Sequence, residues 1–200
     1  MSPRLILASG SPYRRELLSR LGLPFTVQSP GVDEHRLDGE APAAMALRLA
    51  EAKARAVAAG LETGLVIASD QVAALDDEIL GKPGGFEAAR AQLERVSGRS
   101  LCFHTALCLL DAASGRLQLD SVPCEARFRP LERTEIEHYL RREQPYDCAG
   151  AFKSEGLGIA LLEALHCEDP TAIIGLPLIR LCGMLREVGV DVFRGVMRDE

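Results

Sequence analysis

This sequence predicts an α/β fold with a mixed sheet, arranged in two lobes, and three observations carry the prediction. Short apolar runs alternate with amphipathic helical stretches along the whole chain, the pattern of a layered α/β domain. Glycine, proline, serine or aspartate punctuates most of the boundaries between them. Two long strand-like stretches, 101–110 and 117–128, follow each other across the turn at 111–115. With 200 residues, the chain fits one substantial domain over 1–200, or two lobes sharing a core.

Taken in order, Leu5–Ala8 reads as a short strand. Ser11 is a good N-cap and Pro12 suits a first helical position, so a helix starts there and ends at Gly22, burying Leu17, Leu18 and Leu21. Phe25–Gln28 is a second strand and Pro30–Gly39 a polar loop, after which Pro42 opens a long alanine-rich helix reaching Gly60. Leu65–Asp70 reads as a buried strand that Asp70 closes, with Val72–Leu75 continuing into a hairpin turned at Asp76–Asp77. Gly81–Gly85 is a loop before a helix over Phe86–Val96. Thr134 and Glu137 read as a capping box for a helix to Arg142, followed by an irregular stretch over 144–154. Leu157–Leu162 reads as a strand, Asp169–Pro170 as a turn, and Leu178–Val188 as the last helix.

Composition narrows the function. Hydrophobic residues are 47% and charged residues 26% of the chain, ordinary for a globular protein, and no apolar run is long enough to span a bilayer. No secretory signal is evident at the N-terminus. The six cysteines form no C-x-x-C pair and mostly have apolar neighbours, as reduced core thiols do, which points to a cytoplasmic setting. With 29 acidic against 23 basic side chains the net charge is −6, which argues against a nucleic-acid partner. Cations that greet an anionic ligand must therefore be local to a pocket.

Several residues could carry chemistry. The strand–Ser9–Gly10–Ser11–helix turn offers backbone N–H groups and the positive end of a helix dipole, a natural phosphate cradle. Arg14 stands in the first helical turn, where the dipole favours an acid, so it either accompanies a bound anion or is simply solvated. Asp70, at the end of an apolar run, suits a metal ligand or a base, or else a capping aspartate. Lys53 interrupts the ridge Met45, Leu49, Val57, so its ammonium either faces a counter-charge or snorkels to the rim. Lys82, between Gly81 and Pro83, could aim a cation at a phosphate; Glu34 could join Asp70 on a metal, and Lys153 could reach a phosphate from its loop. No G-x-S-x-G and no G-x-x-x-x-G-K-[ST] occurs.

Together these segments resemble the Maf family of nucleotide pyrophosphatases. The resemblance runs through Leu5–Leu18, Val32–Glu34, Glu51–Lys53, Ser69–Gln71, Gly81–Pro83, Cys148–Gly156 and Ile174–Leu178, seven motifs in order over nearly the whole chain. It implies an elongated, two-lobed mixed sheet flanked by helices, with a deep central cleft. It implies metal-assisted hydrolysis of a nucleoside triphosphate to the monophosphate and pyrophosphate, with Asp70 as proton acceptor. Lys53, Lys82 and Glu34 then complete the catalytic set. A Mg²⁺ or Mn²⁺ ion is expected on Asp70 and Glu34, and Ser9, Ser11, Arg14 and Lys153 are expected on the phosphates. A homodimer is the family's expectation.

Base choice is expected from Tyr13, Gln71 and Glu155. The branch of the family that hydrolyses dTTP and UTP carries arginine, threonine and glutamine at these places. The 7-methyl-GTP branch carries an aromatic, glutamine and glutamate, as here, although its usual aromatic is tryptophan. A cationic 7-methylguanine suits an aromatic face and a carboxylate. The alternatives are a pyrophosphatase for pyrimidine or other modified triphosphates, and a nucleotide-binding regulator of division or septum formation.

Overall fold

The computed structural model describes residues 3–193 and 195–196. Its strands are β1 (Leu5–Leu7), β2 (Phe25–Val27), β3 (Leu65–Leu75), β4 (Glu78–Ile79), β5 (Ser100–Asp111), β6 (Leu117–Phe128) and β7 (Leu162–Cys167). They form one seven-stranded sheet in the order β2-β1-β3-β5-β6-β7, with β4 as a hairpin partner of β3. The β2-β1-β3 part is parallel and the remainder antiparallel, the mixed sheet the sequence predicts. The helices are α1 (Pro12–Ser19), α2 (Pro42–Ala58), α3 (Phe86–Val96), α4 (Arg133–Glu143) and α5 (Leu178–Glu187). Val190–Asp191 and Gly195–Val196 pair as a separate two-stranded ribbon. Among the described residues no helix is long and apolar enough to cross a membrane.

Three apolar clusters organise the packing. At one end of the sheet, α1 and α5 cover one face through Leu17, Leu18, Leu181 and Leu185, and α2 covers the other through Leu49, Ala50 and Val57. At the far end α3 and α4 pack on β5 and β6 around Phe103 and Phe128. The polar step Ser69–Asp70–Gln71 falls between these cores. All four ends of Pro12–Ser19 and Phe86–Val96 lie close to where the sequence puts them, because Ser11 accepts from Arg14 N as the N-cap of α1 and Gly85 precedes α3.

Three expectations are corrected. Asp70 does not close a strand: β3 runs unbroken through it, since β5 supplies partners from Leu65 to Ala74. What stops is β1, whose last pair is Leu7 with Ile67, so β3 loses a neighbour just before Ser69. The run 157–161 is a 3₁₀ helix, with β7 beginning only at Leu162. Glycines permit this tight path: a Cβ at Gly158 would run into the Lys153 carbonyl, and one at Gly156 into the Glu143 carboxylate. The capping box of α4 lies two residues earlier than expected, on Glu132 and Glu135, where the carboxylates satisfy both exposed backbone donors. Cys124 and Cys167 face each other across β6 and β7 with Cα atoms 4.4 Å apart.

Candidate active site

Where β1 ends, a cavity of about 630 Å³ opens between the sheet, α2, the 29–34 loop and the 147–155 segment. Period-two alternation on β3 sends Asp70 to the α2 face, with Ala68 and Val72, and sends Ser69 and Gln71 to the opposite face. Because no described strand pairs with β3 on its open side here, the cavity reaches both faces, and Asp70 and Gln71 line it together.

Lys53 decides between its two readings. It is 5% exposed, and its Nζ lies 2.5 Å from Asp70 Oδ1 and 2.5 Å from Glu34 Oε1. The apolar ridge of α2 therefore delivers an inward lysine with counter-charges, and snorkelling is excluded. Asp70 is 6% exposed, and burial holds its carboxyl above the usual aspartate range despite Lys53 and Arg14. Glu34 goes the other way: against its partial burial, the hydrogen bond from Lys53 and the charges of Lys53, Lys82 and Arg14 carry it below the usual range. Two carboxylates on one ammonium thus differ in proton affinity, with Asp70 the more basic.

Arg14 reaches the same cluster from α1. Its Nε donates to Gly175 O at 2.8 Å, and burial pulls the guanidinium below the usual arginine range while Asp70 and Glu34 oppose that. Ser69 Oγ lies 2.8 Å from the same Gly175 oxygen and 2.7 Å from Ala106 O, so one carbonyl of the 171–175 turn ties Arg14 to β3. Lys82 stands exposed on the cavity rim. Ser9 is buried, and its Oγ accepts from Ser11 N at 3.1 Å while Ser11 Oγ caps α1. The two serine oxygens shape the turn, which leaves their hydroxyl protons for a ligand.

Two of the residues expected at the site have partners of their own. Lys153 does not line the cavity: Glu143 holds its Nζ at 2.9 Å, and the ammonium rests 5.9 Å from the centre of the Tyr13 ring. Gln71, expected to take part in base choice, has its amide nitrogen engaged. Its Nε2 lies 2.9 Å from Ala172 O, 3.0 Å from Ile173 O and 3.0 Å from Thr105 Oγ1, so its donors are spent on the 171–175 turn and Oε1 alone is left. Tyr13 does line the cavity, donating to Asp147 Oδ2 at 3.3 Å, and Glu155 lies exposed beside it.

Sequence reasoning missed Ser69, Thr105, Asp147 and Gly175. Ser69 and Gly175 lie inside motifs already singled out, yet their roles come from register and from a backbone carbonyl, which no spacing reveals. Cys148, also on the cavity, has its thiol pushed up to about 12 by burial and by Asp147, so it is not poised as a nucleophile.

A family model described as Maf-like protein matches residues 4–188. A protein of Cupriavidus metallidurans named 7-methyl-GTP pyrophosphatase is 56% identical over 191 residues, covering 96% of this chain and 96% of that protein. One of Methylobacillus flagellatus with the same name is 57% identical, covering 95% of this chain and 99% of that protein. Among solved structures, a HAM1 protein from Coxiella burnetii superposes with a TM-score of 0.51 at 17% identity, covering 92% of this chain and 99% of that one. At that identity the likeness concerns the fold alone.

Proposed function

The chain belongs to the Maf family, and we propose that it hydrolyses 7-methyl-GTP with one water to 7-methyl-GMP and pyrophosphate. The observation that carries this reading is the Asp70–Lys53–Glu34 cluster, with Asp70 and Lys53 buried and Arg14 beside them, in a cleft also lined by Tyr13 and Glu155. Relatives named for this activity, matching nearly end to end, support it.

Whether a divalent cation fits can be judged from the donors. Oxygens of Asp70 and Glu34 converge on one point, where Lys53 Nζ is 2.5 Å from each. Among the described residues no group of three or more His, Cys, Asp or Glu could hold a metal by itself. Two carboxylates completed by phosphate and water are what a hard ion such as Mg²⁺ or Mn²⁺ takes in a nucleotide site, so the residues fit. Bound there, the cation would polarise phosphate oxygens and temper the charge that develops on the leaving pyrophosphate.

The chain's own side chains do the rest. Asp70 engages Lys53 through Oδ1, leaving Oδ2 to take the proton of the attacking water, and its raised proton affinity suits that task. Arg14 and Lys82 receive phosphate charge, preorganised by Gly175 O in the one case and by the Gly81–Pro83 bend in the other. Tyr13 offers its ring to the base, braced by Asp147 and Lys153, and Glu155 balances the positive charge of the methylated ring. Gln71 Oε1 is an acceptor for a base N–H. We read the two ends of the sheet as lobes sharing this cleft, and we place the protein in the cytoplasm.

The test is a panel of triphosphates with Mg²⁺ or Mn²⁺, followed by pyrophosphate release. The reading expects 7-methyl-GTP to lead. Preference for dTTP or UTP would move the chain to the other branch, and release from no nucleotide would favour a binding regulator.

A further inference from the structure

The carboxylates suited to a divalent ion already hold a cation of the chain's own. Lys53 Nζ lies 2.5 Å from an oxygen of each, a few tenths of an ångström beyond the ~2.0–2.1 Å at which Mg²⁺ binds oxygen, so it fills the space between the two carboxylates that the ion would take. Two cations cannot share that point. Arg14 also acts on both carboxylates and Lys82 acts on Glu34, so positive side chains already offset the two negative ones there. A free divalent cation meets no surplus negative charge and must displace an ammonium that is 5% exposed.

A triphosphate changes that balance. It brings about four negative charges to a cavity lined by Arg14, Lys53 and Lys82. The ammonium then gains a second anion to turn to, and the carboxylates are left with charge for a metal to answer. The three partners differ in freedom. Lys53 and Asp70 sit on α2 and β3, whereas Glu34 comes from a loop, with its side chain 60% exposed. Separating Lys53 from Glu34 therefore disturbs only a surface segment.

We infer that Lys53 is the resident counter-ion of the metal's carboxylates, so that the divalent cation is taken up with the triphosphate and not before it. This rests on reading the cleft as a triphosphate-hydrolysing site. The coupling is reciprocal: whatever the nucleotide adds to metal affinity, the metal adds to nucleotide affinity.

The experiment titrates purified protein with Mn²⁺ in the absence of nucleotide and counts bound ion by electron paramagnetic resonance. The wild type is expected to bind Mn²⁺ at least about tenfold more weakly than the Mn²⁺ concentration that half-activates pyrophosphate release. Lys53→Met and Lys53→Gln, shown to be folded by their melting curves, are expected to bind nucleotide-free Mn²⁺ about tenfold more tightly than the wild type. Lys82→Met, which removes a rim cation not bonded to Asp70, is expected to change it less than about threefold. Nucleotide-free binding by the wild type at the activating concentration overturns the inference without any variant. So does a folded Lys53 variant with unchanged or weaker Mn²⁺ binding. Failure to release pyrophosphate from any triphosphate overturns the functional reading instead, and this inference with it.

Discussion

At the Asp70 end of the cleft, charged groups from α1, α2, β3 and one loop meet in a largely buried cluster, with Lys53 2.5 Å from each carboxylate. Where Tyr13 lines the cleft, a 3.3 Å hydrogen bond ties its hydroxyl to an exposed Asp147, and Glu155 accepts from Ser154 Oγ at 3.3 Å. Rigid elements and low dielectric over-determine Asp70 and Lys53, so a change at either leaves a buried charge unanswered. A half-buried ring on one helix and exposed carboxylates on one loop segment make the second, so changes there cost less. The contrast suggests how one scaffold can keep a reaction constant while its base preference varies.

The largest effect should come from the buried end. Asp70→Asn keeps the shape but cannot accept a proton, and turnover should fall about 10²–10⁴-fold while nucleotide still binds. Steady-state pyrophosphate release and an equilibrium nucleotide titration check the two halves. Retained turnover would remove Asp70 as the base.

Gly175→Ala probes the same end from the backbone. Gly175 has φ +122°, and its carbonyl receives Arg14 Nε. A Cβ there would stand 3.5 Å from Arg14 Nε, and an L residue is strained at that φ. The turn should shift, lowering kcat/KM by about tenfold, through strain on the order of 1–3 kcal/mol. Unchanged kinetics would mean that Arg14 needs no such anchor.

These two variants also mark what the sequence discloses. Lys53 is legible because it breaks a helical ridge of Met45, Leu49 and Val57, and the α1 start is legible because Ser11 and Pro12 are local signals. Asp70 is legible as an oddity but not in its setting: the ending of β1, not of β3, opens the cleft, and that is a property of pairing. Gly175 is invisible in the same way, since its contribution is a carbonyl whose partners lie 106 and 161 residues away. The apolar run at 157–161 misleads because close packing at Gly156 and Gly158, a tertiary matter, overrides its strand-like composition.

At the exposed end the effects should be smaller and should fall on selectivity. Glu155→Gln removes one charge and keeps a hydrogen-bonding group. It should lower kcat/KM for 7-methyl-GTP about tenfold relative to GTP, a pair that differs by one methyl group and its positive charge. Equal losses on both nucleotides would mean that Glu155 supports the loop and does not read charge.

Tyr13→Phe should have the smallest effect. The ring and its contact with Lys153 remain, and the lost hydrogen bond is 3.3 Å long, to a carboxylate already in water. A well-formed bond to a charged group contributes about 1.5–3 kcal/mol, and this long, exposed one belongs well below that. The ratio of kcat/KM for 7-methyl-GTP to that for GTP should therefore change less than about threefold. Tyr13→Ala, which removes the aromatic face as well, should erode the same ratio several-fold more. If Phe proved as damaging as Ala, the hydroxyl and Asp147 would carry the selectivity, and the exposed end would be as tightly specified as the buried one.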